Sequence, residues 1–143
     1  MALVSLLGSQ VQGKEGTVDV ASLSDNDVVG IYFSAHWCPP CRQFTPVLAD
    51  YYKKLRADGR KFEIVFVSSD KSEDECAEYY AGMPWLILPF SDRQRKEQIA
   101  QKYGVRSIPT LVLVDPKNGE TISQDGRKIV NTDVSGENFP WKS

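Results

Sequence analysis

The stretch "VVGIYFSAHWCPPCRQF", Val28 to Phe44, changes character halfway along. Its first part, Val28 to Ala35, is almost continuously apolar and follows the polar "SDND" of Ser24 to Asp27. An apolar run bounded by turn-forming residues is the pattern of a central strand buried on both faces. From Pro39 to Ala57 the spacing becomes helical. Phe44, Val47, Leu48, Tyr51 and Leu55 fall on one side, with Arg42, Asp50, Lys53, Lys54 and Arg56 elsewhere. Pro39 and Pro40 are tolerated in a first turn, Asp58-Gly59 ends the helix, and Pro46 inside it should kink it. The joint between strand and helix holds His36, the only histidine, with Cys38 and Cys41, two of the three cysteines.

Outward from this joint, "FEIVFVSSD" (Phe62 to Asp70) reads as a second buried strand. A helix then starts in "SEDECAEYY", with Ser72 as N-cap and Glu73, Asp74 and Glu75 in its first turn. "SDRQRKEQIAQKYGV" reads as another, capped by Ser91 and stopped at Gly104. "TLVLVD" (Thr110 to Asp115), the turn "PKNG" and "ETISQ" make a terminal hairpin. Before the central strand, Ala2 to Leu7 reads as a short strand, and "TVDVASL" (Thr17 to Leu23) as a strand after the Gly13–Gly16 turn. This order predicts an α/β fold: one mixed sheet, helices on both faces and an N-terminal β-hairpin extension.

With 143 residues, 41% of them hydrophobic and 25% charged, the chain has the size and composition of one globular domain, residues 1–143. A formal charge of -2 without a basic run argues against nucleic acid and anionic membranes as partners. The apolar run at the N-terminus is short for a signal peptide and no Lys or Arg precedes it. No stretch is long and apolar enough for a membrane span. Three cysteines do not make a secreted disulfide framework, so a reducing compartment, the cytoplasm, is expected, with the nucleus as a second candidate.

Cys38 should sit where the buried strand ends and the helix begins, its sulfur facing free N–H groups and the positive end of the helix dipole. Cys41 follows one turn later on the same face, within disulfide reach. Pro39 and Pro40 stiffen the loop but supply no N–H, so donors to the Cys38 sulfur must come from Cys41 or beyond. Trp37 would partly shield the pair. These are the features that thiol–disulfide exchange requires. A metal site would need a second ligand pair; His36 and Cys76 are the only further soft ligands and no second CxxC exists, so no metal is expected. An inert pair remains an alternative. Downstream, Pro109 in "VRSIPTLVLVD" reads, from the residues alone, as a trans proline starting a strand.

The motif WCPPC after a strand, with Ile-Pro-Thr downstream, resembles the thioredoxin-like fold, and more narrowly the tryparedoxin and nucleoredoxin branch. The matching stretches are "YFSAHWCPPCRQFTP", "FEIVFVSSD", "MPWLILPF", "YGVRSIPTLVLVD" and "FPWK", which together run nearly the length of the chain. The resemblance implies that Cys38 is the nucleophile and Cys41 resolves it. It implies a cis bond between Ile108 and Pro109, facing the disulfide and holding the partner's backbone. Trp37, Pro39, Pro40 and Trp85 would join Ile108 and Pro109 in substrate contact, Trp85 also packing. Many thioredoxins carry a buried Asp six residues before the first cysteine; Tyr32 stands there, as in tryparedoxins. Ser69 and His36 look more like nucleoredoxin. His36 is either a solvated rim group or a tuner of Cys38, and Asp70 with its neighbours could tune partner choice. Cys76 is expected to be a packing residue.

The resemblance implies a monomeric disulfide reductase whose clients are disulfide-containing proteins, peroxiredoxin-type peroxidases among them. A redox-sensitive binding module that gates a signalling partner is the alternative. A disulfide isomerase is a poorer third, since Pro-Pro replaces Gly-His. No nicotinamide or flavin motif is present and no cofactor is expected. Electrons would come from a dithiol such as trypanothione or from thioredoxin reductase.

Overall fold

A computed structural model describes residues 2–141. The strand read first, β3 (Val28–Ser34), is buried at every position. It lies inside a seven-stranded mixed sheet. On one side it pairs in parallel with β4 (Phe62–Ser68), Tyr32 beside Phe66 and Ser34 beside Ser68. On the other it pairs antiparallel with β6 (Thr110–Val114), Phe33 beside Thr110. The hairpin of β1 (Gln10–Gly13) and β2 (Gly16–Asp19) joins one edge through the two-residue β5 (Leu86–Ile87), while β7 (Thr121–Ser123) closes the other.

Alternation along the strands fills two cores. Tyr32, Phe62, Ile64, Phe66, Leu111 and Leu113 face one cluster with Phe44, Leu48 and Leu55 of α2 (Pro39–Ala57), Cys76 of α3 (Glu73–Tyr80) and Val130 of α5 (Gly126–Thr132). Val29, Ile31, Phe33, Val65, Val67 and Val112 face a second with Leu3 and Leu7 of α1 (Ala2–Leu7) and Ile99 of α4 (Arg93–Lys102). Gly30 leaves room for a neighbour: a Cβ there would lie 2.9 Å from Leu111 Cδ1.

Several expectations need correction. Ala2–Leu7 is a helix, not a strand. Leu3 and Leu7, one turn apart, both enter the second core, and tertiary contact supports a helix too short to stand alone. Arg95 donates to the carbonyls of Ser5 and Leu6 at its C-terminal end, and Gly8, at φ 88°, turns the chain away. The strand predicted over Thr17 to Leu23 stops at Asp19. A 3₁₀ turn, Val20–Asp25, follows, which buries Val20 and Leu23 together at its three-residue period. Asp92, not Ser91, caps α4, accepting from Arg95 N. The hairpin is not terminal, because α5 follows it. Ser72 caps α3 as expected, and α2 runs on through the exposed Pro46. Lys142, the end of "FPWK", lies outside the described residues.

Strand polarity assembles the site. Because β4 runs parallel to β3, their C-terminal ends lie side by side at Ser34 and Ser68; because β6 runs antiparallel, its beginning lies there too. The chain therefore brings His36–Cys41, Ser69–Asp70 and Ile108–Pro109 to one end of the central strands.

Candidate active site

Cys38 is the N-cap residue of α2, with φ -98° and ψ 110°. Its sulfur accepts a hydrogen bond from Cys41 N at 3.3 Å. Pro39 and Pro40 contribute no N–H, so Cys41 supplies the first donor the helix can offer, as the residue order requires. The sulfurs of Cys38 and Cys41 are paired as a disulfide, with their Cα atoms 5.2 Å apart. Cys41 is fully buried, Cys38 is 5% exposed, and both pack with Ala35 and Ile108. The outer sulfur is therefore Cys38. Among the described residues no group of three or more His, Cys, Asp or Glu could hold a metal ion.

The Ile108–Pro109 bond is cis. The Ile108 carbonyl oxygen lies 4.0 Å from Cys38 Sγ. Pro109 is buried and Ile108 half-buried, so Ile108 presents the surface beside the sulfur; Pro39 and Pro40 are exposed. Trp37 is 51% exposed, and its indole N–H donates to the Ser69 carbonyl at 3.0 Å. That bond fixes a broad apolar ring over the site's rim.

His36 and Asp70 meet in the loop before Cys38. His36 N donates to Asp70 Oδ1 at 2.7 Å, and Asp70 Oδ2 accepts from Ser68 Oγ at 2.6 Å. This buried carboxylate ties the end of β4 to the residues before Cys38. The His36 ring stacks on Tyr79, centroids 5.3 Å apart, and among the described residues no hydrogen bond joins it to either sulfur.

Tyr32 is fully buried. Its hydroxyl lies 2.7 Å from Thr45 Oγ1, which donates to the Cys41 carbonyl at 2.8 Å. Tyr79 OH joins the same oxygen at 2.6 Å and Ser34 Oγ at 2.8 Å. Burial holds the Tyr32 phenol well above its ordinary titration range, so it is a neutral hydrogen-bonding group and cannot stand in for a carboxylate base. Sequence reasoning missed Ser34, Thr45 and Tyr79. The available signals were a serine in an otherwise apolar strand and a threonine one turn beyond Cys41.

Trp85 shows the packing half of its expected role. It is 1% exposed, in edge-to-face contact with Tyr32 and Tyr52 at 5.8 and 5.7 Å, and its carbonyl accepts from Tyr80 OH. Pairing of β5 with both β1 and β4 draws this segment into the sheet. Cys76 is 2% exposed, and burial pushes its thiol up.

The thioredoxin-like family matches residues 26–121. Nucleoredoxin of Bos taurus is 43% identical over 136 residues, which is 95% of this chain but 31% of the relative. The chain thus spans about a third of the curated nucleoredoxins it matches. Tryparedoxin of Trypanosoma brucei brucei is 44% identical over 128 residues, covering 90% of this chain and 88% of the relative. The solved tryparedoxin from Trypanosoma brucei superposes with a TM-score of 0.93 at 41% identity, covering 99% of this chain and 98% of that one. A tryparedoxin II complexed with glutathionylspermidine superposes at 0.88 and 40% identity, over 94% and 93%. The chain belongs to the thioredoxin-like family, in its tryparedoxin and nucleoredoxin branch, with Cys38 and Cys41 paired at the start of α2.

Proposed function

We propose that this chain reduces protein disulfides, with Cys38 as nucleophile and Cys41 as resolving thiol. The observation that carries this reading is the position of Cys38: the outer sulfur, at a helix start, with a backbone N–H aimed at it. That donor stabilises a thiolate, the attacking species in exchange. The Cys38 thiolate attacks one client sulfur, the client S–S bond breaks, and a client thiolate leaves as the mixed disulfide forms. Cys41, deprotonated, then attacks the Cys38 sulfur and expels the second client thiolate. Two electrons pass from the dithiol to the client, and the Cys38–Cys41 disulfide remains for an external donor to reduce.

Peroxiredoxin-type peroxidases fit as clients. The relative solved with glutathionylspermidine favours a glutathione-conjugate dithiol such as trypanothione as donor over thioredoxin reductase. No helix among the described residues is long and apolar enough to cross a membrane; the low cysteine count supports a cytoplasmic location. Nothing in the comparisons favours the binding-module alternative.

Insulin reduction driven by dithiothreitol tests the reading, followed by side-by-side assays with a trypanothione system and with thioredoxin reductase. Turnover is expected, and Cys41→Ser should accumulate mixed disulfides with clients. Stoichiometric binding without turnover would overturn the reductase, and trapping by Cys38→Ser instead would reverse the two roles.

A further inference from the structure

A groove of about 380 Å³ opens beside the redox pair, between Trp37 and the segment that leads into Pro109. Its floor is apolar: Phe33, Ala100, Val105 and Ile108. Continuity with the redox centre comes through Ile108, which both lines the groove and packs against Cys38. Three charged side chains line it. Lys96 and Glu97 are 3.3 Å apart and largely cancel. Arg106 is exposed and has no ion pair among the described residues. The rim beside the outer sulfur therefore carries one uncompensated positive charge.

We infer that Arg106 makes this groove select client segments bearing an acidic side chain two or three residues from the attacked cysteine. The spacing follows from chain geometry. Arg106 stands two residues before Ile108, whose carbonyl faces Cys38, and an extended strand advances about 3.3 Å per residue. A client cysteine at Cys38 thus places its second or third neighbour along the Val105–Ile108 segment. Apolar neighbours fit the floor, and an acidic one completes the charge. Because the pair is exposed, the preference is modest and sensitive to salt. This inference deepens the proposed reductase activity and rests on it.

The probe is a short peptide dimer joined by one disulfide, with glutamate at the second and third positions on both sides of its cysteine, and its lysine counterpart. Each reduction takes two electrons from the Cys38–Cys41 dithiol and releases two peptide thiols; dithiothreitol re-reduces the protein. Each kcat/KM is divided by the rate of the same peptide with dithiothreitol alone, which removes intrinsic differences between the peptides. At low ionic strength the wild-type protein should favour the glutamate peptide about fivefold, the ratio sinking toward one in high salt. Arg106→Gln should bring the ratio near one, and Arg106→Glu should invert it. Active turnover with a ratio near one, or an unchanged ratio in Arg106→Glu, overturns this inference alone. Failure to reduce either peptide overturns the reductase reading and this inference with it.

Discussion

Two segments of the chain carry the same pair of residue types to opposite ends. His36–Cys41 holds Trp37 and Cys38; Cys76–Trp85 holds Cys76 and Trp85. Both cysteines are nearly buried, at 5% and 2% exposed. Yet Cys38 starts a helix and receives a backbone N–H, whereas Cys76 sits within α3, where burial, with Asp70 and Glu73 nearby, disfavours its thiolate. The tryptophans differ as sharply. Trp37 is half exposed with its indole N–H bonded to Ser69, while Trp85 is enclosed and its Nε1 has no hydrogen-bond partner among the described residues. Burial and residue type do not separate the helix-start cysteine from the packed one; position relative to a helix start and to a strand end does.

The broadest test of that contrast is activity. Cys38→Ser should cut insulin reduction by more than about a thousandfold, because no other thiol can reach the client. Cys76→Ala should stay within about twofold of wild type. A folded Cys76→Ala variant with a large loss of turnover would erase the distinction.

Thiol labelling separates the two next. In the reduced native protein at pH 7, an alkylating reagent should modify Cys38 at least about a hundredfold faster than Cys76. The raised Cys76 thiol also has a stability consequence. A folded-state value above the unfolded one favours the native state fully below the ordinary thiol range, and that favour is lost as pH rises through the raised value. Wild type should therefore lose more stability than Cys76→Ala between about pH 8 and 10, as read by urea unfolding. Equal slopes would show that Cys76 is not held neutral by its surroundings.

The sequence already contained much of the first segment and little of the second. The apolar run of Val28 to Ala35, the proline pair and the helical spacing after it are local signals, and the structure places β3 and α2 there. The arrival of Ile108 beside Cys38 depends on β6 running antiparallel to β3, which no local pattern encodes. Likewise "MPWLILPF" is apolar throughout, so it carries no period that tells core from surface. Its burial comes from β5 bridging β1 and β4. The hydroxyl group of Ser34, Thr45 and Tyr79 was hidden because its members lie 11 and 34 residues apart in the chain and meet only through packing.

The tryptophan pair extends the contrast to stability. Trp85→Ala should cost about 3–5 kcal/mol, as expected for a large buried ring among Tyr32 and Tyr52. Trp37→Ala should change stability by less than about 1 kcal/mol, since half of the ring is already in water. Its effect should fall on client reduction instead, about tenfold in kcat/KM. Chemical denaturation paired with insulin kinetics reads both. A Trp37→Ala variant as destabilised as Trp85→Ala would mean the exposed ring is structural.

The smallest effect is the most specific. Among the described residues Trp85 Nε1 is buried with no hydrogen-bond partner, a donor without a protein acceptor. Trp85→Phe removes that donor while keeping an aromatic ring edge-on to Tyr32 and Tyr52. The missing half of the indole leaves a small void, which costs stability; removing the unsatisfied N–H restores some. The two terms are of similar size and opposite sign, so the net change should lie within about 1 kcal/mol of wild type. Urea midpoints of wild type, Trp85→Phe and Trp85→Ala at constant m-value decide it. A Trp85→Phe loss close to that of Trp85→Ala would mean that the indole N–H is satisfied in solution, and that the second tryptophan, like the first, is held by a hydrogen bond.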